Sequence, residues 1–155
     1  MTDRLKNKVA LITGAGTRGE ITGIGQASSI LMAREGAKIL INDINADRAK
    51  STLSQIENEG GEGLVIAEDC TKEEGCKSIV KRCLDQFGKI DILFNNVGSF
   101  GRGMVTEVEE ENWQKAIDSN LKSAVMMSKY VVPVMSESGG GSIINISSID
   151  ALRAG

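Results

Sequence analysis

Five short apolar runs punctuate the chain, at residues 9–12, 39–41, 64–67, 90–94 and 143–146. Each is continuous or nearly so, the pattern of strands buried on both faces of a parallel sheet. Between the runs the apolar positions change to helical spacing. Ala27, Ile30, Leu31 and Arg34 follow the first run, and Gly36 is placed to stop that helix. A second helix is predicted over 47–59, closed by Gly60 and Gly61. Thr71 and Glu74 have the spacing of a capping box that opens a third. The longest helical pattern runs over 109–135, with Trp113, Ala116, Ile117, Leu121, Ala124, Val125 and Ser128 on one stripe. Pro133 predicts that this helix bends or ends there. Regular alternation of strand and helix predicts an α/β fold: a three-layer, doubly wound parallel sheet with right-handed crossovers. After the fifth run only 149–155 remain, so 1–155 reads as a single domain truncated after its fifth strand.

Composition narrows the function classes. A chain of 155 residues holds one domain with a real core, and its net charge is −3. It has no basic block, which argues against nucleic-acid and anionic membrane partners. No run approaches the ~20 apolar residues that span a bilayer. The polar residues 1–8 lack the apolar stretch of a secretory signal. Cys70, Cys76 and Cys83 form an odd set without C-x-x-C spacing, which predicts reduced thiols and a cytoplasmic location. Histidine is absent altogether, which removes Ser-His-Asp and Cys-His nucleophiles and His-based metal sites, and no metal is expected.

The chemistry begins where the first run meets glycine. Gly14-Ala15-Gly16-Thr17-Arg18-Gly19 matches G-x-G-x-x-G literally. A helix starting after Gly19 would carry Gly23 and Gly25 in its first turns, a poor start. The alternative places the phosphate-binding helix terminus at Gly23-Ile24-Gly25, with Gly14 making the first turn and 17–22 looping out as an insertion. Backbone N–H groups and the helix dipole at such a terminus favour a pyrophosphate. The second run ends in Asn42-Asp43, near the ~20-residue distance expected of an acid on ribose hydroxyls, although a strand-end aspartate is often only a cap.

With these features in view the chain resembles the short-chain dehydrogenase/reductase family over essentially its whole length. Thr13-Gly14 with Gly23-Ile24-Gly25 resembles the family's T-G-x-x-x-G-x-G, lengthened by the insertion. Asp69-Cys70-Thr71 resembles its adenine-contacting D-x-[TS], and Asn95-Asn96-Val97-Gly98 its N-N-A-G. Asp118-Ser119-Asn120-Leu121 is similar to the segment of the catalytic asparagine, and residues 141–148 to the strand that carries the catalytic serine.

The resemblance implies a Rossmann fold and NAD as cofactor, ahead of NADP because of Asp43. It implies cofactor contacts from Gly14, Gly23, Ile24, Gly25, Asp43, Asp69, Cys70, Asn96, Val97 and Gly98. Asn95 is read as structural, tying neighbouring strands. The substrate is implied to be a small-molecule alcohol or carbonyl compound, held by Ser148 (Ser147 if the register slips), with Asn120 as the second catalytic residue. The long helix is implied to pack against its symmetry mate in a homodimer or homotetramer. Trp113, Met126, Met127 and Met135 are then core or subunit-interface residues, while Cys76 and Cys83 read as core.

The family's acid/base pair, Tyr-x-x-x-Lys, is due about a dozen residues beyond Ser148, and the sequence stops at Gly155. The single tyrosine, Tyr130, has Val134 four residues on. The chain is thus expected to be a piece of a longer enzyme or a truncated, inactive product. Three alternatives follow: a non-catalytic nucleotide-binding module, the enoyl-thioester reductase branch that shares a lengthened glycine segment, and an S-adenosylmethionine methyltransferase. Asn95 to Gly98 and the serine-bearing strand argue against the last.

Overall fold

The computed structural model describes residues 3–17, 19, 21–99, 104–149 and 152. Five strands, β1 (Val9–Thr13), β2 (Lys38–Asn42), β3 (Gly63–Ile66), β4 (Ile92–Asn95) and β5 (Ser142–Asn145), form one parallel sheet in the order β3-β2-β1-β4-β5. Ile12 lies between Ile41 and Phe94 in the register. Helices α1 (Ile24–Arg34), α2 (Ala46–Asn58), α3 (Glu73–Phe87), α4 (Glu110–Ile117) and α5 (Ser123–Glu137) make the crossovers.

Side chains alternate across the buried strands, so each apolar run feeds two cores. Ala10, Ile12, Ile39 and Ile41 pack with Ile30 of α1 and with Ala49 and Ile56 of α2. Val9, Leu11, Leu40 and Leu93 pack on the other face with Cys76, Ile79 and Cys83 of α3 and with Met127, Val131 and Met135 of α5. The three layers and the doubly wound topology follow from that division.

Several local expectations are corrected. The capping box at Thr71 does not form: α3 starts after Lys72 with no side-chain cap. Asp69 claims Thr71 instead, its Oδ1 accepting from the Thr71 N–H (2.9 Å) and hydroxyl (2.7 Å). The long helix is three pieces, because a π-helical turn over Asp118–Lys122 separates α4 from α5. Pro133 does not end it, and α5 continues to Glu137. Since Pro133 sits one turn from the end, its missing N–H costs a single helical bond. The apolar stripe read on this helix faces outward: Trp113, Leu121 and Val125 are each more than half exposed. The core face is offset from it and carries Met127, Val131 and Met135. The fifth run is not buried on both faces, because β5 is a sheet edge and all four of its residues are exposed. Among the described residues, no helix is long and apolar enough to cross a membrane.

Candidate functional site

The carboxyl end of β1 is held by polar groups from three neighbouring elements. Gly14 turns the chain at φ +61°, a left-handed conformation that favours glycine. The next N–H, of Ala15, donates to the Asn42 carbonyl of β2 at 2.9 Å. The Ala15 carbonyl accepts from the buried Thr52 hydroxyl of α2 at 2.8 Å. From β4, the Asn96 side-chain amide donates to the Gly14 carbonyl (2.8 Å) and the Thr13 carbonyl (3.2 Å). Thr13 returns the tie, its Oγ1 accepting from the Asn96 N–H at 3.1 Å. Asn96, read from sequence as a ligand contact, therefore spends its amide on shaping the glycine turn.

The helix terminus lies where the second glycine reading puts it. Gly23 is the N-cap residue of α1, no side chain caps the helix, and its first turn holds no acidic residue. Its leading N–H groups and the positive end of the dipole are left for an anion. Gly25 lets this helix approach the turn: a Cβ there would lie 2.3 Å from the Gly14 carbonyl oxygen and 2.6 Å from Asn96 Nδ2. Gly23 is different. Among the described residues a Cβ there would find nothing nearer than the Gly16 carbonyl oxygen at 3.9 Å.

Beside it lies a cavity of about 440 Å³ at the carboxyl ends of the strands. Gly14, Gly23, Asp43, Asp69, Cys70 and Asn96 line it, and Val97 and Gly98 complete the wall on the β4 side. The fold thus gathers eight of the ten sequence-predicted cofactor residues around one volume. Ile24, largely exposed, and Gly25, buried beneath the turn, do not line it. Thr17 and Ile21 of the insertion do, and the insertion closes on itself through a Thr17 hydroxyl to Ile21 carbonyl bond of 2.7 Å. Arg18 of the insertion lies outside the described residues.

Asp43 and Asp69 bring two carboxylates to the cavity wall. Asp43 Oδ2 accepts from the Gly16 N–H (3.1 Å) and Oδ1 from the Asn45 N–H (2.9 Å), which fixes the carboxylate beside the turn. The cap of α2 is Asn45, whose side chain accepts from Asp47 and Arg48 N–H, so Asp43 is not the helix cap. Asp69 holds Thr71 through Oδ1 alone, and among the described residues its second oxygen has no partner. Behind it Gly75 is obligatory: a Cβ there would lie 2.2 Å from the Asp69 carbonyl oxygen. Cys70 is buried, and burial first, then the neighbouring Cys76 and Asp69, pushes its thiol up to about 12. It is inert filling rather than a nucleophile.

These groups fit a dinucleotide. An uncapped helix terminus with glycines beside it suits an anion, and two carboxylates on the same cavity are acceptors for hydroxyl or amino donors.

The two catalytic candidates are placed differently. Asn120 lies in the π-helical turn, where its amide donates to the Ser99 and Ala116 carbonyls (both 2.9 Å) and accepts from the Ser99 N–H (3.1 Å). It pins the loop after β4, and a Cβ on Gly98 would lie 2.9 Å from its Oδ1. Ser148 is exposed beyond β5, and neither residue lines the cavity. Asn95 donates to Asn145 Oδ1 at 2.9 Å, tying β4 to β5 as the sequence suggested. Tyr130 takes no part in the cavity, because its phenol is bonded to Glu73 of α3.

Gly16, Ser99 and Ser119 line the cavity without having been singled out. Gly16 carried a signal in the literal G-x-G, and a Cβ there would lie 2.7 Å from Asp43 Oδ2. The hydroxyls of Ser99 and Ser119 lie 2.6 Å apart; Ser119 falls inside the 118–121 segment, while Ser99 lies in no motif.

The model of the family "short chain dehydrogenase" matches residues 8–155. An uncharacterized oxidoreductase of Thermotoga maritima is 41% identical over 92% of the chain and 54% of its own length. A cyclohexanol dehydrogenase of Acinetobacter sp. (strain SE19) is 35% identical over 98% of the chain and 59% of its own length. Among solved structures, a 7α-hydroxysteroid dehydrogenase complexed with NADH and 7-oxo glycochenodeoxycholic acid superposes with a TM-score of 0.91 at 33% identity. That match covers 99% of the chain and 58% of the other. The chain thus spans a little over half the length of these relatives. With a family model matching residues 8–155, the chain belongs to the short-chain dehydrogenase family.

Proposed function

We propose that the chain is the cofactor-binding part of an oxidoreductase that moves hydride between NAD(H) and a small-molecule alcohol or carbonyl substrate. The observation that carries this reading is the uncapped α1 terminus at Gly23, opening onto a cavity that Asp43 and Asp69 also line. Bound there, the nicotinamide cofactor supplies or accepts the hydride. The chain's own residues position it. N–H groups at the start of α1 take the pyrophosphate charge, Asp43 accepts from the adenosine ribose hydroxyls, and the free oxygen of Asp69 accepts from the adenine amino group. Asn120 fixes the β4 loop over the cavity, and Ser148 donates to the substrate oxygen.

Asp43 favours NAD over NADP, since an ionised carboxylate beside a 2′-phosphate costs on the order of 1–3 kcal/mol. The alcohol substrates named for the relatives support a secondary alcohol carbon as the reacting centre. The exposed stripe of Trp113, Leu121 and Val125 supports a homodimer or homotetramer formed through α4 and α5. Titration with NADH, followed by nicotinamide fluorescence, tests the reading. Saturable binding with release by NAD is expected. Failure to bind NADH, with binding of S-adenosylmethionine instead, overturns it.

A further inference from the structure

Ser99 follows Gly98 in the loop after β4, Ser119 stands in the π-helical turn, and both line the cavity. Their hydroxyl oxygens lie 2.6 Å apart, so one proton sits between them. The neighbouring bonds decide whose it is, because a serine hydroxyl has one proton to give and two lone pairs. Ser119 Oγ lies 2.6 Å from the Lys115 carbonyl oxygen and 3.4 Å from that of Ala116. A carbonyl brings no proton of its own, so the Ser119 proton goes there. The Ser99 proton then points to Ser119 Oγ. The pair is a one-way chain, from Ser99 through Ser119 to the α4 backbone, and each bond polarises the next. Asn120 fixes the start of the chain, accepting from the Ser99 N–H at 3.1 Å and donating to the Ser99 carbonyl at 2.9 Å. What remains to Ser99 is a pair of acceptor sites on an exposed oxygen. Among the described residues nothing donates to them.

We propose that Ser99 is a further cofactor-binding residue, an acceptor for a ribose hydroxyl of the dinucleotide, and that Ser119 is the positioning residue that turns its proton away from the ligand. This rests on the nucleotide reading of the cavity given above, and names the group that the β4 side takes. With its proton spent, Ser99 has nothing to offer a phosphate oxygen. It suits a donor. A dinucleotide carries its donors on the ribose hydroxyls, the adenine amino group and the nicotinamide carboxamide. Asp69 answers the adenine amino group in the reading above, and the hydroxyls are the most numerous donors left. Without Ser119 the Ser99 proton is free to turn into the cavity, and the bond to a ribose hydroxyl loses its fixed direction.

The test is fluorescence titration with NADH of the native protein, Ser99→Ala, Ser119→Ala, Ser119→Thr and the double alanine variant, with ADP-ribose and ADP as displacing ligands. Ser99→Ala should bind NADH about three- to tenfold more weakly, the range of one neutral hydrogen bond. Ser119→Ala should lose only about twofold, since a freed hydroxyl still meets a ribose hydroxyl in either direction. Ser119→Thr keeps the hydroxyl and should bind as the native protein does. The double variant should match Ser99→Ala, because Ser119 acts through Ser99 alone. ADP weakened in step with NADH supports the proposal and assigns the adenosine ribose. ADP-ribose weakened without ADP supports it and assigns the nicotinamide-side ribose. A loss confined to NADH places the carboxamide on Ser99 and overturns the ribose assignment. Ser99→Ala within about 1.5-fold of native, or losses that add in the double variant, overturn the proposal while NADH still binds. A native protein that does not bind NADH refutes the nucleotide reading itself, and this proposal with it.

Discussion

On the β1–β2 side of the sheet every residue of β1 and Ile39 to Asn42 of β2 are buried, and the loops above them are tied by polar side chains. On the β4–β5 side, β4 is buried but β5 exposes all four residues, with Ile143 at 36% and Ile144 at 38%. The long helix beyond it turns Trp113 (58%) and Val125 (57%) outward. Burial at about 25 cal/mol per Å² stabilises the first half and is largely forgone by β5. The candidate cavity is walled largely from this buried half and closed on the β4 side by Asn96, Val97 and Gly98. Ser148, the candidate that would touch substrate, follows the least buried strand.

Glycine substitutions break this comparison most sharply, because two neighbours in one motif should fail in different ways. Gly25→Val drives a side chain into the Gly14 carbonyl and Asn96, so α1 must leave β1. A loss on the order of 3 kcal/mol or more is expected, read as a large fall in melting temperature. Gly23→Val meets no atom within 3.9 Å and should leave the melting temperature nearly native. It fills the space for the pyrophosphate, so NADH affinity should fall by about a hundredfold or more. At Gly19 a Cβ has none of the described residues within 4 Å, and the φ of +100° sets a local strain of about 1–3 kcal/mol in the insertion. Loss of NADH binding at Gly19 with retention at Gly23 would reverse the assignment of the motif.

The reasons for what could be read ahead, and what could not, are local. The apolar runs and the glycine spacing point to β1, β2, the start of α1 and the Asp43 position, because burial on both faces and a phosphate turn each leave a residue pattern. The sequence points to Asn96 and Asp69 as cofactor contacts but not to their structural duties: one clamps the Gly14 turn and the other captures Thr71 from its expected capping box. The glycine inside the first turn of α3 has a local cause. Gly75 costs the helix about 1 kcal/mol and is there because the Asp69 carbonyl leaves no room for a Cβ. The Trp113 stripe shows the limit of periodicity, which identifies an apolar face but not what covers it.

A smaller effect sharpens the electrostatic side. Asp43→Ser removes the carboxylate that faces the ribose, so the NADPH/NADH affinity ratio should move toward NADPH by about tenfold, roughly 1.4 kcal/mol. An unchanged ratio would place the adenosine ribose away from β2.

The smallest expected effect lies between α3 and α5. Hydrogen bonds from Lys129, then from Tyr130, and the Lys129 charge hold the Glu73 carboxyl at about 2, down from 4.5. A lowered folded value contributes stability above the unfolded value, and that contribution fades as pH falls from about 4.5 toward 2. Melting temperatures of Glu73→Gln should therefore lie below native at neutral pH and converge with it in acid. Parallel curves would show that this exposed pair contributes nothing.

The most direct measurement is a crystal structure of the protein with NADH. The pyrophosphate should lie against the N–H groups that follow Gly23, with the adenosine ribose within hydrogen-bond distance of Asp43 and the adenine amino group on the free oxygen of Asp69. A nucleotide lying instead along the Gly19 side of the insertion, or with its adenosine remote from Asp43 and Asp69, would contradict the account.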